Sequence, residues 1–393
     1  MKLAYYPGCS LEGTGIEYHL STKKSAEILG VDLVEIDDWN CCGATSAHNT
    51  NKLLSIALPA RNLAVAEKTG LDVLAPCAAC YNRFRNTEHV VREDAATREK
   101  IEQIIDMPYT ASNKTISVLE WLVSEVGLDK LKDKVVSPLK GMKAACYYGC
   151  LLVRPQSHTG FDDVEDPQSM DNIVKALGAD AIEWSFKSEC CGAALATSRP
   201  EIGSKMIFNV LKNAKDSGAE CIVTACPLCL MNLDMRQAGA EKAHNEKIDM
   251  PIYYITELVA LAAGVEPNAI GVNRHFVEAK SYLSKLAAVK QEQEEAASEP
   301  QAAADTDTKE ADAEDIAKKV AAMVKGFEKN PEKMALRLIE NEEEAKILAE
   351  VVGQDEKKIN KLAELMITDK DKAVKVAQAF VVGELKKREK ADS

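Results

Sequence analysis

The sequence predicts an α/β protein with two tandem, pseudo-symmetric domains that each contain a parallel sheet, followed by a small all-α module. Three observations support this prediction. A five-cysteine pattern occurs twice in the 393-residue chain, short apolar runs alternate with helical patterns in both copies, and only helical periodicity follows them. We place the first domain at 1–140, the second at 141–287, an acidic Ala/Glu-rich linker at 288–315 and the helical module at 316–393.

The repeat is carried by the spacing of ten cysteines. In each copy, 34 residues separate an adjacent Cys-Cys pair from a Cys-x-x-Cys pair. A single cysteine comes before the Cys-Cys pair, with 31 residues between them in the first copy and 39 in the second. The residues before the single cysteine also match, Tyr5–Cys9 against Tyr147–Cys150, and the eight additional residues of the second copy fall around the polar stretch 161–168. The first set is Cys9, Cys41, Cys42, Cys77 and Cys80, and the second set is Cys150, Cys190, Cys191, Cys226 and Cys229.

Strand and helix patterns alternate in both copies, which predicts parallel sheets with right-handed crossovers. The first helix has Ser21 or Thr22 as its expected N-cap. The single cysteine and the Cys-x-x-Cys pair of each set then follow strands directly, at the sheet edge where open α/β proteins bind ligands. We expect strands at 2–6, 31–36, 73–75, 143–147, 181–184 and 221–225, and helices at 21–29, 52–69, 170–177 and 201–216.

The last hundred residues have a different composition. The stretch 290–315 is rich in Ala, Glu, Gln and Asp and almost lacks large apolar residues, which is typical of a linker without a packed core. Helical periodicity returns at 316, Asn330-Pro331 is expected to begin a further helix, and 368–371 resembles a capping box before the last one. We expect this module to be a tether or an interaction domain, because it carries no set of chemical ligands.

The composition limits the partners and the compartment. A formal net charge of -13 and a pI of about 5.2 argue against nucleic acid or an anionic membrane surface as the main partner. Pro7 and Gly8 interrupt the N-terminus before any signal-peptide core, and the most apolar candidate, Leu258–Val265, is far shorter than the roughly 20 residues that span a bilayer. We therefore expect a cytoplasmic protein, in which twelve cysteines indicate metal or redox chemistry rather than disulfides.

The adjacent cysteines distinguish between kinds of metal site. Neighbouring side chains diverge in an extended backbone, so both reach one centre only in a turn, for which Gly43 and Gly192 supply the backbone freedom. Five thiolates exceed the four that one zinc ion or one cubane requires, which favours a polynuclear iron centre with a bridging thiolate. Two zinc sites with a spare cysteine each, or metal-free dithiols, are the alternatives. Cys146 and Cys221 lie outside the pattern and are expected to be buried strand residues.

With two complete sets, residues 1–287 resemble the CCG-domain family of cysteine-rich proteins, and specifically the catalytic B subunits of heterodisulfide reductase. The resemblance implies that each set holds one non-cubane 4Fe-4S cluster, so that all ten cysteines of the two sets are cluster ligands. It also implies that a disulfide enters between the two clusters. The resemblance does not extend to the segment beyond residue 287.

The resemblance further implies a substrate and partners. The substrate would be the heterodisulfide of coenzyme M and coenzyme B, whose cleavage to two thiols takes two electrons. The chain has neither a CxxCxxCxxxC cubane motif nor a GxGxxG fingerprint, so electrons would come from a ferredoxin-like iron–sulfur subunit of the same complex, which a flavin-containing subunit would supply. Candidate cations for the anionic groups of the substrate are Arg154, Lys187 and Arg199, with Arg83 and Arg85 also near cluster ligands in sequence, and the candidate proton donor is His48.

Two other functions fit the same residues. One is a CCG-type electron-transfer subunit of a lactate, glycolate or glycerol-3-phosphate oxidoreductase, which would pass electrons toward quinone. Such subunits usually carry cubane motifs or have a flavin partner, and this chain lacks the motifs. The other is a zinc-stabilised, non-enzymatic scaffold that uses the C-terminal helices as a docking arm.

Overall fold

The computed structural model has a four-stranded parallel sheet in the first domain. Its strands are β1 (Lys2–Tyr5), β2 (Asp32–Glu35), β3 (Val73–Leu74) and β4 (Thr115–Ile116). They lie in the order β2-β1-β3-β4. The chain crosses to one side of β1 and then to the other, so the loops after β1 and β3 open a crevice at the carboxyl edge of the sheet.

The second domain repeats this architecture. Its strands are β5 (Lys143–Tyr147), β6 (Asp180–Ala181), β7 (Cys221–Thr224) and β8 (Ile252–Tyr254), again all parallel, in the order β6-β5-β7-β8. The predicted α/β class with two similar parallel sheets is therefore confirmed. β6 is shorter than the predicted strand 181–184, because Trp184 turns its indole N–H to the carbonyl of Cys146 at 3.0 Å.

Helices connect successive strands of both sheets and provide the crossovers. The first domain has α1 (Gly8–Leu11), α2 (Ile16–Leu29), α3 (Ala47–Thr50), α4 (Leu54–Glu67), α5 (Ala78–Glu93), α6 (Ala95–Ile105), α7 (Val118–Glu120), its π-helical continuation Trp121–Val126, and α8 (Leu128–Asp133). The second has α9 (Gln156–Thr159), α10 (Ser169–Ala176), α11 (Leu195–Ser198), α12 (Pro200–Asp216), α13 (Pro227–Leu233), α14 (Gln237–His244), α15 (Ile255–Ala262), two 3-10 turns (Pro267–Ile270 and Val272–Arg274) and α16, described over 279–287.

Helix α2 begins five residues earlier than predicted, because Ser21 is not an N-cap. Its hydroxyl lies inside the helix, donates to the carbonyl of Tyr18 at 3.2 Å and hydrogen bonds to the hydroxyl of Thr256 in α15 at 2.7 Å. Ser25, one turn further, donates to the carbonyl of Thr256 at 2.9 Å. The polar residues that resembled a helix start are buried contacts between the two domains.

A buried ionic group of the second domain lies beside this contact and faces α2 of the first domain. The imidazole Nε2 of His275 lies 2.9 Å from a carboxylate oxygen of Glu257, and its Nδ1 lies 3.8 Å from Asp234. Burial opposes a charge on this ring, but Glu257 and Asp234 raise the pKa of His275 from 6.5 to about 10. Glu17 of α2 faces the same group, and burial raises the pKa of its carboxyl.

The chain forms two compact units, 1–295 and 296–393, so both cysteine-rich domains belong to one unit. No helix among the described residues is long and apolar enough to cross a bilayer. The predicted linker 288–315 and the first module residues, 316–319, lie outside the described residues. The structure describes 1–44, 47–287, 320, 323–327, 329–339, 341–353, 356–368 and 370–391.

The second unit is helical, as predicted. Its helices are α17 (Pro331–Ala335), α18 (Glu342–Gly353), α19 (Glu356–Thr368) and α20 (Lys370–Ala391). The side chain of Asn330 accepts a hydrogen bond from the backbone N–H of Lys333, so α17 begins where the sequence indicates. An apolar core that includes Phe327, Leu348 and Leu362 holds these helices together.

Candidate metal centre

Both cysteine sets lie at the carboxyl edges of the two sheets. Cys9 lies in α1, directly after β1, while Cys77 after β3 and Cys226 after β7 are the N-cap residues of α5 and α13. In each Cys-x-x-Cys pair, the second cysteine (Cys80 or Cys229) follows within the first helical turn. Parallel strands end at one edge, so this local geometry gathers thiols that are distant in sequence.

The thiols of the first set form a connected group. Cys42 Sγ lies 3.1 Å from Cys80 Sγ, and the nearby thiols of Cys42 and Cys77 raise the pKa of Cys80 well above its usual range. A hydrogen bond to Cys42, together with burial and the nearby charge of Cys9, raises the pKa of Cys41. Cys9 and Cys41 are exposed, so this set is open to solvent on one side.

The thiols of the second set repeat these contacts. Cys191 Sγ lies 3.8 Å from Cys229 Sγ, and the nearby thiols of Cys191 and Cys226 raise the pKa of Cys229 well above its usual range. A hydrogen bond from Cys150 lowers the pKa of Cys190 to about 6, although burial opposes the thiolate. Cys150 and Cys190 are only half-exposed, so this set is less open than the first.

The two sets meet where the domains join. The buried thiols of Cys77 and Cys226 are neighbours, and their interaction raises the pKa of Cys77 well above its usual range and lowers the pKa of Cys226 well below it. Tyr18 and Tyr254 stack beside them at a ring distance of 4.0 Å. Each thiol in a series that spans both sets shifts the pKa of the next one, so the two sets adjoin. The series is Cys41, Cys42, Cys80, Cys77, Cys226, Cys229 and Cys191.

Glycines shape the backbone around both sets. Gly43 and Gly192 have φ of +72° and +89°, the left-handed conformation that a turn through adjacent cysteines needs, as predicted. A Cβ on Gly149 would lie 3.1 Å from Cys229 Sγ, and one on Gly8 would lie 3.5 Å from Cys80 Sγ. Glycine at these positions keeps the space beside the sulfurs open.

The donor set fits iron–sulfur clusters. All ten cysteines of the two sets are free thiols, and thiolates are the ligands that such clusters use. No three His, Cys, Asp or Glu side chains among the described residues converge closely enough to hold a single ion. The assignment of a metal centre therefore rests on the two cysteine sets and on the glycines that leave room beside them.

Two of the predicted substrate-binding cations hold the inserted loop 161–168 in place. The side chain of Lys187 is 5% exposed, and its ammonium lies 3.1 Å from the buried carboxylate of Asp171 and 3.2 Å from Asp166. Arg154 donates to the carbonyl of Val164 at 2.9 Å and to the hydroxyl of Ser188 at 3.0 Å. These contacts anchor the loop beside the second set.

Of the other polar candidates, Arg199 and Arg85 are paired with carboxylates and Arg83 acts on a thiol of the first set. Arg199 is exposed and pairs with Glu201, while Arg85 pairs with Glu88. Hydrogen bonds from Cys41 and Cys80 lower the pKa of Cys42, and the positive charge of Arg83 lowers it further. Arg83 therefore lies near the first set. The backbone of His48 lies in α3, but its side chain lies outside the described part of the structure.

Several residues near the thiols were not predicted from the sequence. The hydroxyls of Tyr6 and Tyr147 donate to the carbonyls that directly precede the two Cys-Cys pairs. The repeated Tyr-x-Gly-Cys sequence was the signal for them. Asn82 of α5 reaches across the domains and donates to the carbonyls of Leu151 and Arg154 at 3.0 and 2.7 Å. As expected, Cys146 and Cys221 lie buried in β5 and β7.

Comparison with known proteins agrees with this architecture. The CCG cysteine-rich domain model matches residues 3–85 and 144–234. The chain is 34% identical over 281 residues to the 8-methylmenaquinol:fumarate reductase membrane anchor subunit of Wolinella succinogenes, which covers 71% of this chain and 98% of that protein. It is 27% identical over 292 residues to the B subunit of the ferredoxin/F(420)H(2)-dependent CoB-CoM heterodisulfide reductase of Methanosarcina acetivorans, with coverages of 72% and 97%.

A solved structure shares the fold. The crystal structure of a hypothetical protein from Helicobacter pylori superposes with a TM-score of 0.56 at 12% identity. The superposition covers 70% of this chain and 52% of that chain, so the chain spans about half the length of that protein. At this identity the likeness concerns the fold alone.

Proposed function

Because the chain belongs to the cysteine-rich CCG-domain family, which includes the B subunits of heterodisulfide reductase, we propose that it is the catalytic subunit of a heterodisulfide-reductase-type complex. In this proposal each five-cysteine set holds one non-cubane 4Fe-4S cluster, and the substrate disulfide is cleaved to two thiols between them. The observation that carries the proposal is that the buried thiols of Cys77 and Cys226 are neighbours, so that two complete sets meet where the domains join.

The chemistry requires two electrons and two protons for each disulfide. When bound, the clusters would supply the electrons, one for each sulfur of the substrate. The exposed Cys9 and Cys41 leave the first set reachable for a substrate or a partner. Arg83 beside this set would attract an anionic group on the substrate thiol. The proposed electron donors are a ferredoxin-like iron–sulfur subunit and a flavin-containing subunit of the same complex, in the cytoplasm.

The proposal is tested by disulfide turnover. Protein purified without oxygen is reduced with a viologen dye and given the heterodisulfide of coenzymes M and B, and the thiols released are counted. We expect two thiols per disulfide in the wild type and none in Cys42→Ala or Cys191→Ala, because each substitution removes a thiol from one set. Cys146→Ala, a buried cysteine outside both sets, is the matched control and should retain turnover. Full turnover in either set variant would contradict the two-centre arrangement.

A second candidate function is favoured by the 34% identity to the Wolinella protein, whose name describes a quinol-linked fumarate reductase. In that case the two centres would pass electrons to or from a quinone, and no disulfide would be consumed. Stopped-flow oxidation of the reduced protein separates the two candidates. Oxidation by the heterodisulfide supports the first, whereas oxidation by a water-soluble menaquinone analogue, with no thiol formed from the heterodisulfide, supports the second.

A further inference from the structure

Two tyrosines occupy equivalent places in the two domains. The hydroxyl of Tyr6 donates to the carbonyl of Asn40 at 2.8 Å, and the hydroxyl of Tyr147 donates to the carbonyl of Glu189 at 2.6 Å. Asn40 and Glu189 each directly precede a Cys-Cys pair. Two separate loops therefore begin their Cys-Cys-Gly turns from a peptide group fixed by a tyrosine.

Both tyrosine side chains are buried next to the thiols of their own cysteine set. Tyr6 is 1% exposed and Tyr147 is fully buried, and each packs against a tryptophan, Trp39 at 5.6 Å and Trp184 at 6.0 Å between ring centres. Each ring also lies close to four of the five thiols of its own set. After burial, these thiols raise the pKa of Tyr6 (Cys80, Cys42, Cys41 and Cys9) and of Tyr147 (Cys229, Cys191, Cys190 and Cys150).

In each Cys-Cys pair, the thiol directly after the fixed peptide is the less buried of the two. Cys41 is exposed while Cys42 is 2% exposed, and Cys190 is half-exposed while Cys191 is 2% exposed. Surrounding side chains can orient the buried second thiol of each pair, whereas the first depends on the backbone that carries it. A hydrogen bond to the preceding carbonyl fixes the plane of that peptide and thus the direction of the first thiol.

We propose that Tyr6 and Tyr147 are positioning residues that hold the first thiol of each Cys-Cys pair, Cys41 and Cys190, toward its cluster. The inference rests on the proposed function in one respect, namely that the two sets bind clusters. Neither tyrosine needs to touch the substrate, because each acts through the peptide that it fixes.

The two domains differ in how many side chains hold the peptide before the Cys-Cys pair. In the first domain Asn62 is a second anchor, since its amide donates to the carbonyl of Asn40 at 2.8 Å and accepts from the N–H of Asn40 at 2.8 Å. The equivalent position in the second domain, at the same distance after the Cys-Cys-Gly turn, is Leu211, which has no amide. Asn232 holds the far side of this turn, where its amide donates to the carbonyls of Cys191 and Ala193 at 3.2 and 3.1 Å. Among the described residues, Tyr147 is the one side chain that bonds to the carbonyl of Glu189, so it carries a larger share in fixing that peptide than Tyr6 does for the peptide of Asn40.

The experiment measures the rate at which a chelator removes iron from the anaerobic holoprotein. Each cluster is followed alone, the second in a Cys42→Ala background and the first in a Cys191→Ala background. We expect Tyr147→Phe to speed iron release from the second cluster about fivefold, the factor for one net hydrogen bond. Tyr6→Phe alone should change release from the first cluster less than about twofold, and Tyr6→Phe with Asn62→Leu, which copies the second domain, about fivefold.

A spectroscopic readout separates positioning from general stability. Tyr147→Phe should change the EPR signal and the midpoint potential of the second cluster. The control is Tyr148→Phe, one residue away, which removes a buried hydroxyl bonded to Asp171. It should lower the thermal midpoint without changing either property. Equal release rates and equal EPR signals for Tyr147→Phe and Tyr148→Phe would overturn the inference. Wild-type protein without iron and sulfide would instead overturn the proposed function.

Discussion

The buried ionic group of the second domain, formed by His275, Glu257 and Asp234, predicts how the stability of the protein depends on pH. The side chains of His275 and Glu257 are fully buried and that of Asp234 is 1% exposed. Their contacts raise the pKa of His275 from 6.5 to about 10, despite its burial. The folded protein therefore keeps a proton that the unfolded chain releases near pH 6.5, and this difference links protonation to folding.

The sign and the size of the effect follow from the two pKa values. Because the folded value is the higher one, the stabilisation is complete below pH 6.5 and is lost as the pH rises through 10. The difference between the folded and unfolded pKa of His275 contributes at most about 5 kcal/mol to the free energy of unfolding. For a unit of this size, that amounts to roughly 10 °C in the midpoint of thermal unfolding. We expect the wild-type midpoint to fall between pH 7 and 10 and His275→Gln to lack most of that fall.

The assay is an anaerobic thermal scan at several pH values for the wild type, His275→Gln and His89→Gln. His89 is exposed, so its substitution is the control for losing a histidine without losing the buried pair. Other groups titrate in the same range in all three proteins, so the measured quantity is the difference between wild type and variant at each pH. If the curves of the wild type and His275→Gln run parallel from pH 6.5 to 10, the buried imidazole does not carry the proton that the contacts imply.

Two further predictions concern the turn and the inserted loop. Gly43→Ala should lose iron from the first cluster, because a Cβ there would lie 2.8 Å from that of Ala47 in a left-handed turn; Gly30→Ala, with φ +68° and nothing within 4 Å, is the control that should keep its iron. Lys187→Met removes the cation from the buried carboxylate of Asp171, which keeps only its hydrogen bond from Tyr148, and should cost about 3 kcal/mol of stability in thermal unfolding. Its KM for the disulfide should stay unchanged, and a raised KM would give Lys187 the substrate role instead.

Local pattern was sufficient to predict much of the site. The positions of Cys77 and Cys226 are set by a short strand and the helix after it, so alternating strand and helix patterns were enough to put them at a sheet edge. The left-handed turns at Gly43 and Gly192 follow from adjacent residues in the same way.

Contacts between distant segments were not visible in the sequence. Ser21 resembled an N-cap because its partner, Thr256, is 235 residues away on another domain. Lys187 resembled a free cation because its buried partner Asp171 lies in a separate helix. Burial and pairing of polar groups depend on how whole elements pack, and residue spacing does not encode that packing.

The most direct measurement is the amount of iron and acid-labile sulfide per chain in anaerobic protein, for the wild type, Cys42→Ala and Cys191→Ala. Two 4Fe-4S clusters predict about eight irons and eight sulfides in the wild type. Each variant should retain about four of each, since the intact set in the other domain still binds its cluster. Two zinc ions per chain with no sulfide would contradict both the cluster assignment and the redox function.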